Sequence, residues 1–177
     1  TALAWALDLR DSEGEANMRN GYRLMGLLAL GVAATAALAA ASEEAEVRKV
    51  LADYRTAMEE RSVSKLAAVV SEDLLVLEGT HKNDGWADYR DKHIGPEMAE
   101  WKEFKVADTR LAKLEVSGDM AYAVQEATYT IVDAKGPVVM LGAETFVFAK
   151  EAKGWRIRHL HLSGKRVSPA KPAVKSP

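Results

Sequence analysis

Apolar and polar positions alternate with two different periods along this chain. Over residues 43–60, EEAEVRKVLADYRTAMEE, the residues Val47, Val50, Leu51, Tyr54 and Met58 recur at helical spacing, with Glu, Lys and Arg on the other face. That pattern predicts an amphipathic helix, with Ser42 as its N-cap and acids in its first turn. Ser62 is placed to cap a second short helix, Val63–Val70. Leu74–Glu78 reads as a short strand, the polar stretch GTHKND over 79–84 as a loop, and Gly85–His93 as a third helix carrying Trp86 and Tyr89. Gly95-Pro96 is expected to interrupt that helix and to start a new turn at Pro96.

From Phe104 the period changes to two. Phe104–Val116, Met120–Val132, Val138–Ala149 and Trp155–Leu162 read as strands, separated by turn-forming stretches at 117–119, 133–137 and 150–154. Helices first and an antiparallel meander last give an α+β fold, with the helices on one face of the sheet. Strands of about ten residues or more curl, and a curled sheet under helices encloses a pocket.

The N-terminal pattern is different again. Residues 18–41 carry Arg19 and Arg23, then an apolar run from Leu24 that turns alanine-rich and ends in small residues. This is the layout of a secretory signal peptide with cleavage before Ala40 or Ser42. The rival reading, an uncleaved membrane anchor over Leu24–Ala41, is the weaker because the second half of the run is mostly alanine and ends in a cleavage pattern. The expected location is therefore periplasmic or secreted, and the only membrane contact expected is through that segment. Residues 1–17 precede the start expected at Met18 and read as a non-native upstream extension. Residues 42–167 are the expected domain. The Pro/Lys/Ala-rich stretch 168–177 is expected to be disordered.

Composition narrows the chemistry. The chain has no cysteine, which rules out disulfides, thiolate ligands and a cysteine nucleophile. A formal net charge of -2 gives no electrostatic footprint for nucleic acid, and no nucleic-acid partner is expected.

The segments VLADYRTAMEERSVSKLAAVVSEDLLVLEG, GWADYRDKHIGPEM and GWRIRHLHLSG, in the order helix, helix, strand, helix and long strands, resemble the nuclear transport factor 2-like, or SnoaL-like, superfamily. The resemblance spans roughly residues 45–165. It implies a cone-shaped fold, in which N-terminal helices pack on a strongly curved antiparallel sheet around a pocket. Ketosteroid isomerase shares this fold. By that resemblance Tyr54 matches its oxyanion tyrosine, Glu78 its general base and Glu144 its neutral carboxylic acid. The last two positions hold Glu here rather than Asp. The family hosts many reactions and non-catalytic members, so the resemblance names no reaction.

Other candidates come from the residues themselves. Alternation in WRIRHLHLS puts Trp155, Ile157, His159 and His161 on one strand face, and Arg156, Arg158, Leu160 and Leu162 on the other. The two imidazoles then sit about 6–7 Å apart, a spacing for one metal or a proton relay. The plainer alternative is one histidine bonded to a backbone group and the other in solvent. His93 and Glu97 share a face if the chain stays helical through Gly95-Pro96. Trp86 and Tyr89 are expected to line or cover the pocket mouth, and His81 to be exposed. In the cone fold Glu78, His93, Glu97, Glu144, His159 and His161 would converge. A zinc or other divalent ion held by His93, Glu97, His159 and His161 is then one expectation. Three functions remain open on this reading. One is a pocket protein binding a small molecule or metal, another an acid–base lyase or isomerase acting on a small apolar carbonyl compound. The third is a non-catalytic homodimeric association domain, paired through outward Leu160 and Leu162.

Overall fold

The structure, a computed structural model, describes residues 38–167. The chain divides into two compact units between Ser42 and Glu43. Of the first unit only residues 38–42 are described, and they are helical. Ser42 is therefore no helix-capping boundary: the alanines before it have the highest helix propensity and carry the helix past it. The stretch read as an upstream extension (1–17), the one expected to be disordered (168–177) and all but residues 38–41 of the one read as a signal peptide (18–41) lie outside the described residues.

In the second unit, helix α1 covers residues 43–59. It buries Val47, Val50, Tyr54, Ala57 and Met58, the face its periodicity predicts, with Leu51 partly buried beside them. Helix α2 is Val63–Ala67, and Ser62 caps it by accepting a hydrogen bond from the Lys65 amide at 3.3 Å. It ends earlier than expected because Val70 already pairs with Ile157 at the start of strand β1, Val70–Glu78.

The polar stretch after β1 is not a loop. His81–Asp84 is strand β2, paired antiparallel with β1 from Leu75↔Asp84 to Glu78↔His81. Next come helix α3 (Trp86–Tyr89), a wide π turn (Arg90–Ile94) and helix α4 (Gly95–Glu100). Gly95-Pro96 does not interrupt the helical path as expected. The wide turn shifts the hydrogen-bond register, and Pro96 falls in the first turn of α4, where its missing N–H has no partner to lose. Gly95 makes this possible, since a Cβ there would stand 2.3 Å from the Arg90 carbonyl oxygen.

Strands β3 (Glu103–Ser117), β4 (Met120–Asp133), β5 (Gly136–Glu151) and β6 (Gly154–Val167) follow. The six strands form one sheet in the order β2-β1-β6-β5-β4-β3, antiparallel except for β1 and β6. Register shifts in the β3–β4 pairing, on either side of Arg110 and Leu111, bend the edge of the sheet. The core lies between the helices and the inner sheet face. There Leu66, Leu74, Phe146, Phe148, Trp155 and Ile157 are essentially solvent-free. Tyr54 meets Phe146 edge-on at 5.3 Å, which pins α1 to β5. The expected α+β cone fold is the observed one.

One register shift changes a prediction about the site. Ile157 pairs with Phe148 and His159 with Val147, so Arg158 is an extra residue in β6. The bulge reverses the alternation after it. Trp155, Ile157, Leu160 and Leu162 face inward, while His159 and His161 face outward. The expectation that both histidines share the face of Trp155 and Ile157 is corrected. So is the outward placement of Leu160 and Leu162: Leu160 is 1% exposed and Leu162 packs on the core.

Candidate active site

Within the second unit, α1, β1, the α3–α4 segment and the inner face of the sheet enclose a pocket of about 810 Å³, its open mouth included. Met58, Ile94, Trp101, Phe104, Met140 and Leu162 supply apolar wall. Trp101 stacks on Phe104 at 4.9 Å, and Phe104 leans on Tyr129 at 5.8 Å. Gly142 leaves room for that tyrosine, because a Cβ at this position would meet its ring at 2.3 Å. Polar groups enter at few points, among them Tyr54, Glu78, Tyr89, Glu97, Gln125 and Glu144. This is the usual make-up of a small-molecule site.

Glu144 is on the buried side. It shares the inner face of β5 with Phe146 and Phe148 and is 3% exposed. Gln125, its register partner on β4, donates Nε2–H to Oε2 at 2.6 Å. No arginine side chain among the described residues bonds to it; Arg158, one candidate from the sequence, pairs with Asp73. Burial therefore raises the Glu144 pKa, and the Gln125 hydrogen bond, a looser contact with the Tyr129 hydroxyl and the charge of Arg55 on the same pocket wall offset this only in part. The Tyr129 hydroxyl, pushed far above the phenol range chiefly by burial and then by the Glu144 charge, is itself buried and has no partner in good hydrogen-bond geometry. Tyr54 is buried on the pocket wall, and burial raises its phenol as well.

The exposed edge holds a second cluster. His93 Nε2 is 3.2 Å from Glu78 Oε2 and 3.5 Å from Glu97 Oε1. The π turn keeps His93 and Glu97 on one face, as a continuous helix would. Both carboxylates line the pocket, and both also border a surface cleft with His93, His81 and Lys92. Desolvation, followed by the charges of Glu78 and Glu100, raises Glu97 to about 7. Burial lowers His93, against the opposing pull of Glu78. His81 is exposed as expected, and its ring also packs edge-on against His93 at 5.1 Å.

The expected convergence is thus partial. Glu78, Glu97 and Glu144 border one pocket, and His93 touches the first two. Tyr89 lines the pocket, whereas Trp86 is buried behind it at 6.4 Å between ring centroids. His159 and His161 are not in the pocket wall. His159 Nδ1 lies 3.0 Å from the Leu75 carbonyl oxygen and His161 is exposed, so the plainer alternative for this pair is the observed one. The four-ligand set His93, Glu97, His159 and His161 is not assembled. Among the described residues no group of three acidic or histidine side chains is arranged to hold a metal ion.

Sequence reasoning missed Gln125, Tyr129, Asn83 and Asp88. The signal for Gln125 was available, since a glutamine flanked by Ala123 and Ala127 on the inner face of a strand needs a polar partner. Asn83 sat in a stretch read as loop, and only its pairing in β2 turns it inward.

No curated protein sequence matches the chain. Solved structures do. A nuclear transport factor 2-like superfamily protein from Salmonella enterica serovar Typhimurium is 21% identical with a TM-score of 0.63, covering 77% of this chain and 98% of its own. A ketosteroid isomerase-like protein from Erwinia carotovora atroseptica is 20% identical with a TM-score of 0.62, covering 72% and 98%. The hexachlorocyclohexane dehydrochlorinase LinA-type3 from Novosphingobium barchaimii is 17% identical with a TM-score of 0.62, covering 77% and 96%. At these identities the likeness establishes the fold. The SnoaL-like domain family is matched over residues 47–166, which takes in the whole pocket, and the chain belongs to that family.

Proposed function

We propose that the domain is an acid–base enzyme of the lyase or isomerase type, acting on a small, largely apolar carbonyl compound. One observation carries this reading: a single apolar pocket is bordered by a buried carboxyl with a raised pKa, Glu144, and by the carboxylates that abut His93 Nε2. Held protonated, Glu144 donates a hydrogen bond to the substrate carbonyl oxygen. Glu78 takes a proton from the adjacent carbon, and the C–H electron pair becomes the enolate that Glu144 stabilises. Return of the proton at another carbon is isomerisation; loss of a β-substituent is elimination. Two of the similar structures are named as, or after, enzymes, which favours turnover over passive binding.

The test is deuterium uptake in D2O at the carbon next to the carbonyl, across a panel of apolar cyclic ketones. Wild-type protein is expected to catalyse uptake, and Glu78→Gln to lower the rate about 100-fold. Ketones that bind without exchange would make the domain a binding protein instead. We propose separately that the domain works outside the cytoplasm. Support comes from Arg19, Arg23 and the apolar run that ends in small residues. An intact mass beginning at Ala40 or Ser42 is expected for protein recovered from the periplasm or medium.

A further inference from the structure

Asn83 and Asp88 lie behind His93, away from the pocket wall. Asn83 is 2% exposed, so each of its polar atoms needs a partner. One end of its amide faces Asp88 Oδ2 at 3.0 Å, and the other faces His93 Nδ1 at 2.8 Å. Asp88 also accepts from the Asp84 amide at 3.3 Å and pairs with Lys92 at 2.7 Å. The Lys92 contact, followed by Asn83 and the amide, holds its pKa at about 2, so it is ionised and can only accept. The amide end beside it must then be the NH2 group. Oδ1 therefore points at His93 and accepts, which puts the neutral ring's proton on Nδ1. In the neutral ring the Nε2 lone pair then faces Glu78 and Glu97, and Nε2 donates to Glu78 only once the ring has taken up its second proton.

We propose that Asn83 and Asp88 are positioning residues that fix the Nδ1–H tautomer of His93, so that Nε2 receives the proton Glu78 takes from a ligand. This rests on the acid–base reading of the pocket. Glu78 and Glu97 border both the pocket and the outer cleft, whereas His93 borders only the cleft. A proton passed from Glu78 to Nε2 has left the pocket side of the wall. The imidazolium so formed keeps its Nδ1–H bond to Asn83 and gives up the Nε2 proton to Glu97 or to solvent in the cleft. Charge is conserved at each transfer, and no group besides these is needed.

The tautomer can be read without any ligand, from long-range 1H–15N correlations of the histidine rings in labelled protein at pH 8. Wild-type His93 is expected to show a protonated Nδ1 and an unprotonated Nε2. Asn83→Leu removes the acceptor and is expected to move the proton to Nε2, toward the two carboxylates. Asp88→Asn is expected to keep the wild-type pattern, since an amide oxygen there still accepts from Asn83. Where exchange is measurable, Asn83→Leu is expected to lower kcat about tenfold or more with KM within about twofold. A wild-type Nε2–H pattern, or an unchanged pattern in folded Asn83→Leu, overturns the proposal. If Asn83→Leu does not fold, Asp88→Ala substitutes for it: Asn83 is then free to flip, and a mixture of tautomers is expected. An unchanged single tautomer there also overturns the proposal. Absence of ketone exchange alongside an Nδ1–H tautomer sinks the catalytic reading and leaves the positioning role standing.

Discussion

The pocket has a buried side at Glu144 and an exposed edge at Glu97, and both carboxyls have raised pKa values for different mixtures of causes. Glu144 is 3% exposed, with one amide donor and no cation bonded to it. Glu97 is 46% exposed at its side chain, and two neighbouring carboxylates add to its desolvation. On one side burial is the only cause that raises the carboxyl; on the other like-charge repulsion from Glu78 and Glu100 adds to desolvation, which remains the larger cause. The first favours the uncharged form through burial rather than through neighbouring charges, as a hydrogen-bond donor requires. The second gives a group poised near neutrality, as a proton carrier requires.

Deletion on each side is the most severe way to break this contrast. Glu144→Ala is expected to lower ketone exchange about 100-fold or more, the usual cost of losing a donor to a developing oxyanion. Glu97→Gln is expected to cost about tenfold, because Glu78 and His93 remain in contact. Equal losses in steady-state kinetics would mean that the two carboxyls do not divide the roles in this way.

Stability against pH separates the sides next. The folded-state pKa of Glu144 is raised, so its burial is harmless below the ordinary carboxylate value. The cost grows as pH rises through that value and stops growing above the folded-state pKa. Glu144→Gln removes the charge and keeps an acceptor for Gln125. Urea unfolding is therefore expected to find this variant more stable than wild type at pH 8 and equal to it at pH 4. A constant difference at both pH values would mean that Glu144 titrates normally and could not serve as a neutral donor.

The two sides were unequally legible in the sequence. Glu144 could be found because β5 is regular, and simple alternation from Phe146 and Phe148 puts it inside. His159 and His161 were misplaced because one extra residue at Arg158 reverses the alternation, and nothing in WRIRHLHLS signals a bulge. The His93 cluster was half legible. The spacing of His93 and Glu97 suggested a shared face, but the π turn that preserves it depends on Gly95, which reads locally as a breaker. Asn83 was invisible for another reason: a four-residue edge strand of polar residues has no apolar period to detect. The fold came through because it depends on many positions at once, whereas the site depends on single registers. A small prediction follows from the corrected register. His159→Ala removes the hydrogen-bond contact with the Leu75 carbonyl at a partly buried position outside the pocket wall. It is expected to cost about 1 kcal/mol in urea unfolding and to leave ketone exchange within about twofold.

Salt gives the subtlest contrast. Repulsion from Glu78 and Glu100 acts on a half-exposed Glu97, where mobile ions have access. At about 1 M salt the screening length falls to about 3 Å. The Glu97 pKa, about 7, is expected to fall toward the ordinary carboxylate value, stopping where desolvation alone would leave it. Glu144 is 3% exposed, which limits the access of mobile ions, so its pKa is expected to stay where burial sets it. Carboxyl 13C shifts, followed through a pH titration at low and high salt, report both groups in one sample. If Glu97 holds its value in high salt, desolvation alone sets it, and the exposed edge is electrostatically a second copy of the buried side. If Glu144 moves with salt, water and ions reach it, and the pocket is too wet there for a carboxylic acid to remain a neutral donor at pH 7.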